Sequence, residues 1–595
     1  MRCGIAPEAQ TAIIPTNSRL LFPMPRKRPT QNPLLDREAG AIRKSWQNRL
    51  RVVLAYPNRY AVGMSSLGFQ TVYALLNERQ NTVCERLFLP ADEHLPLRTL
   101  ESNRRPAEAD ILAFSVSFEN DYLNLLAMID RCGLPLHAED RNGDAPLVIA
   151  GGVGPMLNPE PIAPFVDAVL IGEAEPMIDA LIEAAAEPSD RKSRLLRIAR
   201  CVPGAYVPSF YRVHHHADGT LAGVEPTEAV PAVVRRARAA SLGTFSTRSA
   251  LVGPETAFED RYLVEVSRGC PHGCRFCAAG YIYRPPRFRS LERLAADIER
   301  GAEVTDTVGL VGAAVSDLPD LEALCRRFDG SRTRLSFSSL RADALTPALI
   351  AALAQSRVKT ATIAPDAGSQ RLRDVINKGI DEETILASAE ALVAAGIPNL
   401  KLYFMVGLPT ETDEDVAAIV DLCKRVKHRF LASSRIRGRM GEITVSLAGF
   451  VPKPFTPFQW AAMDDAGRLK QKLRRVKEGL RRVANIRVHS DVPRWAVIQG
   501  LLSRGDRNVA RMLLDAHRKH GNWPSALKAS AVNAGFYVFR QRGADERFPW
   551  DFIDHGVKKS FLLAEYRRAL SGRVSPECPI RDCTWCGACE TANEV

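Results

Sequence analysis

The sequence predicts an α/β protein: two successive parallel-sheet domains, then a mostly helical C-terminal region with a Cys-rich tail. Three observations predict it. Short apolar runs alternate with helix-like stretches in two separate blocks, the pattern of parallel strands covered by helices. At 595 residues the chain is too long for one core. After residue 461 the strand-like runs give way to Arg-rich helical stretches. A composition of 46% hydrophobic and 25% charged residues excludes collagen-like, low-complexity and disordered chains. No apolar run reaches the ~18 residues of a membrane span, and the N-terminus lacks the apolar core of a secretory signal. A cytoplasmic protein is expected.

Residues 1–44 read as a flexible tail, Pro- and Arg-rich without periodicity. Residues 45–201 form the first α/β domain, flavodoxin-like, with strands expected at 52–56, 111–116, 147–150 and 167–171 and helices at 68–76 and 121–130. Ligands of such sheets gather at the carboxyl ends of the strands. There Gly151, Gly152 and Gly172 allow close approach of a backbone or ligand. Residues 202–258 are a connector whose Ala217-Asp218-Gly219 marks a hairpin turn. His214, His215 and His216 alternate in facing along a strand, so they do not converge on one metal.

Residues 259–460 repeat a strand–helix unit six times, with strands expected at 262–266, 307–311, 334–337, 360–363, 400–406 and 443–447. This predicts a partial (β/α)6 barrel, whose chemistry belongs at the C-terminal ends of its strands. Residues 461–595 form the basic helical region, with helices at 468–484 and 508–517. Its 25 Lys and Arg against 15 Asp and Glu supply ten of the chain's twelve excess positive charges. Solvated Arg-rich helix faces are one reading and an anionic partner such as RNA is the other.

Seven of the 13 cysteines fall in two tight groups, which in a large chain points to metal binding in a reducing compartment. The first group is Val266-Ser267-Arg268-Gly269-Cys270-Pro271-His272-Gly273-Cys274-Arg275-Phe276-Cys277, directly after the first barrel strand. Its C-x3-C-x2-C spacing wraps three thiolates around one corner of an iron–sulfur cube and leaves one iron open. A structural zinc site wants four protein ligands and a closed shell; only His272 lies near enough in sequence to be a fourth.

This motif, C-x3-C-x-aromatic-C after the first strand of a partial barrel, resembles the radical SAM superfamily. The resemblance implies a [4Fe-4S] cluster held by Cys270, Cys274 and Cys277. Its open iron chelates S-adenosylmethionine (SAM). Reductive cleavage of the SAM sulfonium C–S bond gives methionine and a 5′-deoxyadenosyl radical, which abstracts hydrogen from a substrate. It further implies Phe276 near the adenine. Gly312, in Val311-Gly312-Ala313-Ala314, takes the place of the stretch whose backbone contacts the SAM amino group, without that stretch's glutamate. Ser338, Arg341 and Asp366 stand where polar groups hold the SAM carboxylate and ribose, and Gly407 in the stretch lining the adenine. The alternatives are core packing for Phe276, surface or helix-cap roles for Ser338, Arg341 and Asp366, and a helix start at Thr410 or Thr412.

The stretches Tyr56-Pro57-Asn58, Gly63-Met64-Ser65, Pro365 to Arg373 and Phe450 to Phe458 resemble radical SAM proteins carrying a cobalamin-binding-like N-terminal domain. Cobalamin domains often use D-x-H-x-x-G, whose His ligates cobalt. Here Asn58-Arg59-Tyr60-Ala61-Val62-Gly63 puts Tyr60 at that place. Ser115-Val116-Ser117 and Gly151-Gly152 stand loosely where such domains touch the cofactor. The domain thus implies either cobalamin without a histidine ligand or a nucleotide-fold unit for substrate or partner binding.

The second group is Cys578, Cys583, Cys586 and Cys589, spaced C-x4-C-x2-C-x2-C. Four thiolates close a site without an external ligand. The dense run resembles ferredoxin spacing and favours a second [4Fe-4S] cluster over zinc. The expected function is therefore a radical SAM enzyme, with SAM and an electron donor such as a flavodoxin or ferredoxin as partners, acting on an RNA base or a small molecule. The rival class is a non-catalytic iron–sulfur carrier or scaffold.

Overall fold

The computed structural model describes residues 33–595 except 257, 259, 339, 437–440, 581–582 and 591–595. Residues 1–32 of the expected tail lie outside the described residues. Residues 33–44 are not loose. Pro33–Arg37 is a short helix, Lys44 Nζ donates to the Arg79 carbonyl at 2.7 Å, and Glu38 is buried against Arg86 at 2.6 Å.

The first domain is a six-stranded sheet of β1 (Leu50–Arg59), β2 (Thr82–Leu89), β3 (Ile111–Ser115), β4 (Leu147–Gly151), β5 (Ala168–Leu170) and β6 (Ala205–Tyr206). The order is β2-β1-β3-β4-β5-β6. All neighbours are parallel except β6, which runs antiparallel to β5. Strand order reverses between β1 and β3, which makes the crevice at their carboxyl ends the natural ligand site. Residues Val52 to Tyr56 are all buried, as a strand covered on both faces requires. The strand β2 departs from the sequence reading. Its Glu85 and Arg86 make it look polar, yet both are buried, and Arg86 is held by Glu101 at 2.6 Å as well as by Glu38.

The connector hairpin forms as expected from Tyr211–His215 and Leu221–Pro226. His214 faces Glu225 at 3.3 Å while His215 faces Asp506 at 2.8 Å, so the two take separate partners.

The second block is two parallel sheets. Tyr262–Glu265, Thr307–Val311 and Arg334–Phe337 form one. Thr360–Asp366, Asn399–Val406 and Ile443–Gly449 form the other, extended at its edge by Ile486–Ser490. That last strand lies beyond residue 460, inside the stretch read as helical. It is an edge strand with Arg487 and His489 exposed, so it carries no continuous apolar run. The helices start at side-chain caps: Ser290 accepts from the Arg293 amide, Asp381 from Thr384, and Asp465 from Gly467 and Arg468.

The C-terminal helices, Pro493–Arg504 to Lys559–Leu570, lie against both earlier units. Asn158 donates to the Ser503 and Gly505 carbonyls at 3.1 and 2.7 Å, Arg507 pairs with Glu160 at 3.1 Å, and Lys453 of the second block pairs with buried Glu119 at 2.5 Å. Trp460 and Trp550 are fully buried where the second block meets the C-terminal region: Trp460 stacks on Tyr566 at 6.0 Å and Trp550 Nε1 donates to Gln459 Oε1 at 3.0 Å. No helix among the described residues is long and apolar enough to cross a membrane.

Candidate active site

The three-cysteine loop leaves the first barrel strand through a narrow neck. Ser267–Arg268 pairs antiparallel with Arg287–Phe288, closing the chain between them into a lobe. Gly269 turns at φ +85°, where a Cβ would meet the Tyr283 carbonyl at 2.8 Å. Arg268 anchors the neck to the first domain, reaching Glu173 at 2.9 Å and Glu175 at 2.5 Å as well as Glu265 at 2.9 Å.

All three thiols are free and shielded. Burial pushes Cys270 up to about 12 and also raises Cys274 and Cys277. Opposing this, Lys378 and Arg341 stand beside Cys274, and Arg341 hydrogen-bonds its thiol. Backbone amides are aimed at the sulfurs: His272 at Cys270, and Gly280 and Ala279 at Cys277. Soft thiols with N–H donors and cations around them are the donor set an iron–sulfur cluster takes. Among the described residues no three His, Cys, Asp or Glu side chains converge on a single-ion position.

His272, the only nearby imidazole in sequence, is taken: Nε2 lies 2.6 Å from Asp317 and Nδ1 2.7 Å from Glu577. Arg341 pairs with Asp343 at 2.7 Å and donates to the Lys378 carbonyl at 3.1 Å. Asp366 sits at a strand end with φ +62° and holds Lys378 Nζ at 2.5 Å. It does not cap the next helix; Ser369 does, accepting from the Leu372 amide. Cys274, Arg341, Lys378 and Asp366 are thus one group. Ser338 and Gly312 lie side by side, the Gly312 amide 3.4 Å from the Ser338 hydroxyl. A Cβ on Gly312 would meet Ser267 Oγ at 2.7 Å. Phe276 is partly buried against the core. Gly407 packs elsewhere, with Leu469 and Asp464 at the place of its absent Cβ. Thr412 begins the Asp413–Ile436 helix, exchanging hydrogen bonds with Asp415.

A cavity of about 470 Å³ joins this loop to the first domain. Ser115, Ser117 and Gly152 line it from the carboxyl ends of β3 and β4, and Ser267, Gly269 and Gly312 from the barrel side. Gly152 has φ +102° and approaches the Val116 carbonyl so closely that a Cβ would sit 2.5 Å from it. Among the described residues no histidine lines the cavity. Tyr60 is not at its wall either: its hydroxyl donates to Glu38 and its ring packs edge-on against Phe88 at 5.4 Å.

Sequence reasoning missed Lys378, Asp317 and Glu577. Each belongs to the site through pairing across the fold, and no local spacing announces it.

The chain matches two family models, "Radical SAM proteins, N-terminal" over residues 68–208 and "Radical SAM superfamily" over residues 264–423. An uncharacterised protein of Methanocaldococcus jannaschii is 31% identical over 520 residues, covering 86% of this chain and 98% of that one. The tRNA-2-methylthio-N(6)-dimethylallyladenosine synthase of Mycobacterium bovis is 30% identical over 215 residues. That match covers 32% of this chain and 41% of the synthase, so the chain spans about two fifths of that relative's length. Among solved structures, the cobalamin-dependent S-adenosylmethionine radical enzyme OxsB aligns at a TM-score of 0.42 and 17% identity, over 63% of this chain and 51% of its own. A three-thiol loop at the mouth of a parallel-sheet unit, both matched models and a relative similar over nearly its whole length agree: this chain is an enzyme of the radical SAM superfamily.

Proposed function

We propose that Cys270, Cys274 and Cys277 hold a [4Fe-4S] cluster that binds SAM, and that the substrate lies in the cavity between the two sheets. The observation that carries this reading is that Gly269 and Ala279, which flank the thiol loop, and Gly312 line one wall of a cavity whose other wall is the carboxyl-end edge of the first domain's sheet. When bound, the cluster supplies the electron that breaks the SAM sulfonium bond. The chain's own residues do the rest. Lys378 and Arg341 offset the negative charge of the Cys274 thiolate. Bare backbone at Gly312 and Gly269 lets Ser267 Oγ and the Tyr283 carbonyl pack close, which fixes the course of the loop beside the cavity. The Arg268 network with Glu173 and Glu175 holds the two domains together at the cavity wall.

The cavity suits a substrate whose reacting part is apolar or aromatic, an RNA base or a small molecule. The tRNA-modifying relative favours the base. On the other side, much of the C-terminal positive charge is engaged internally: Arg504 and Arg542 are buried and Arg507 pairs with Glu160. Affinity for RNA that falls steeply with salt supports the RNA reading. A corrinoid in the same cavity has no imidazole to bind from its lining, so anaerobic protein given cobalamin should show no nitrogen-ligated cobalt.

The deciding experiment is Cys274→Ala. It should lower iron content and abolish 5′-deoxyadenosine formation from SAM under strong reductant. Wild-type release by that variant would sink the proposal.

A further inference from the structure

The C-terminal cysteines do not trail away from the enzyme. The segment before them is fastened to the three-cysteine loop residue by residue. The Cys578 amide donates to the Pro271 carbonyl at 2.9 Å. Glu577 holds His272. Asn377 donates to the Gly273 carbonyl at 3.2 Å and accepts from the Ser575 amide at 2.8 Å. Arg275, fully buried, donates to the Arg573 carbonyl at 2.6 Å, to Ser575 Oγ at 3.1 Å and to Glu565 at 3.2 Å.

Beyond that clamp, Cys578, Cys583 and Cys586 face Gly273, Arg284 and Asn377 across a small cavity of about 20 Å³. The Trp585 amide points at the Cys583 sulfur at 3.4 Å, and the Ile580 and Cys583 amides point at the sulfurs of Cys578 and Cys589. Arg284 is 5% exposed; its Nε donates to the Gly280 carbonyl at 2.7 Å, and its guanidinium lies over the Tyr281 ring at 4.8 Å with Cys586 beside it. Among the described residues no carboxylate pairs with Arg284. A buried guanidinium needs a negative partner, and the side chains beside this one are cysteines. A site of four cysteines with N–H donors on its sulfurs and one buried cation fits a metal centre that carries net negative charge.

We propose that Cys578, Cys583, Cys586 and Cys589 hold a second [4Fe-4S] cluster, seated between the tail and the SAM loop, with Arg284 as its counter-charge. The site is closed by its own four ligands, so it needs neither SAM nor the loop cysteines to load. That separates its failure from failure of the loop assignment.

The test is metal analysis of full-length, anaerobically reconstituted protein with Cys270, Cys274 and Cys277 all changed to Ala. About four irons per chain should remain, and they should go when Cys583 and Cys586 are also changed to Ala. One zinc and no iron, or no metal in a folded variant, overturns the proposal. Should the triple variant not fold, Cys583→Ala with Cys586→Ala in the otherwise intact chain is the alternative. Iron should then fall from about eight to about four per chain, and unchanged iron overturns the proposal. In a chain that keeps its tail iron, Arg284→Gln should lower the cluster's midpoint potential, read by EPR-monitored titration, because the reduced form gains negative charge and loses its cation. An unshifted potential removes Arg284 from the site.

Discussion

Lys378 shows how a single side chain serves two neighbours. Its ammonium is nearly enclosed and lies between the Asp366 carboxylate and the Cys274 thiol. Burial alone lowers its proton affinity, but Asp366 and then Cys274 outweigh that and raise it, so it stays charged. Lys378→Met removes the cation and leaves a buried carboxylate uncompensated. The expected cost is about 3–5 kcal/mol of folding stability, measurable by urea denaturation of the anaerobic protein, together with weaker iron retention at the loop. Unchanged stability and iron content would show that solvent reaches Asp366. None of this was legible from spacing. The cysteines announced themselves because C-x3-C-x2-C is local, whereas Lys378 reaches Cys274 only because the strand carrying Asp366 ends beside the loop.

At the scale of elements, what could be read was what obeyed simple periodicity. The apolar strands and the capped helices of both sheets stand close to their expected places. Two of the omitted strands, β2 and Ile486–Ser490, share a cause: charged residues stand inside them. In β2 the charge is buried and neutralised by Glu38 and Glu101 from other segments; at Ile486–Ser490 it faces solvent along an edge. The helix Ala466–Leu480 gives a local test. Asp465 accepts from the Gly467 and Arg468 amides at 2.7 and 2.9 Å, and the helix buries Leu469, Leu473, Val476 and Leu480. Asp465→Ala should cost about 1 kcal/mol, seen as a lower denaturation midpoint with unchanged m-value. A loss several times larger would mean that the carboxylate holds more than a helix start.

For the molecule as a whole, His555 reports on how the parts are joined. It is buried, Nε2 lies 3.0 Å from the Met156 carbonyl of the first domain, and its ring meets Phe455 edge-on at 4.3 Å. Burial, then Arg236, holds its pKa down to about 3. The unfolded chain takes up that proton near pH 6.5 while the folded one stays neutral, so stability is complete above that pH and drains away as pH falls toward 3. At pH 5 the loss is about 2 kcal/mol, from ~1.4 kcal/mol per pH unit. Thermal melts should therefore fall between pH 7 and 5, and His555→Gln should flatten that slope. An equal slope in the variant would assign the acid sensitivity to other groups.

The buried guanidinium of Arg275 has a consequence for how the protein is made. Its carboxylate partner, Glu565, and its carbonyl partner, Arg573, are translated almost three hundred residues after it. Until they are made, Arg275 has only the Asp374 and Val375 carbonyls as side-chain partners. A truncated product ending before Glu565 never acquires the later two. Closure of the loop on this side therefore comes only once residues 565–573 have been made and have folded back onto Arg275.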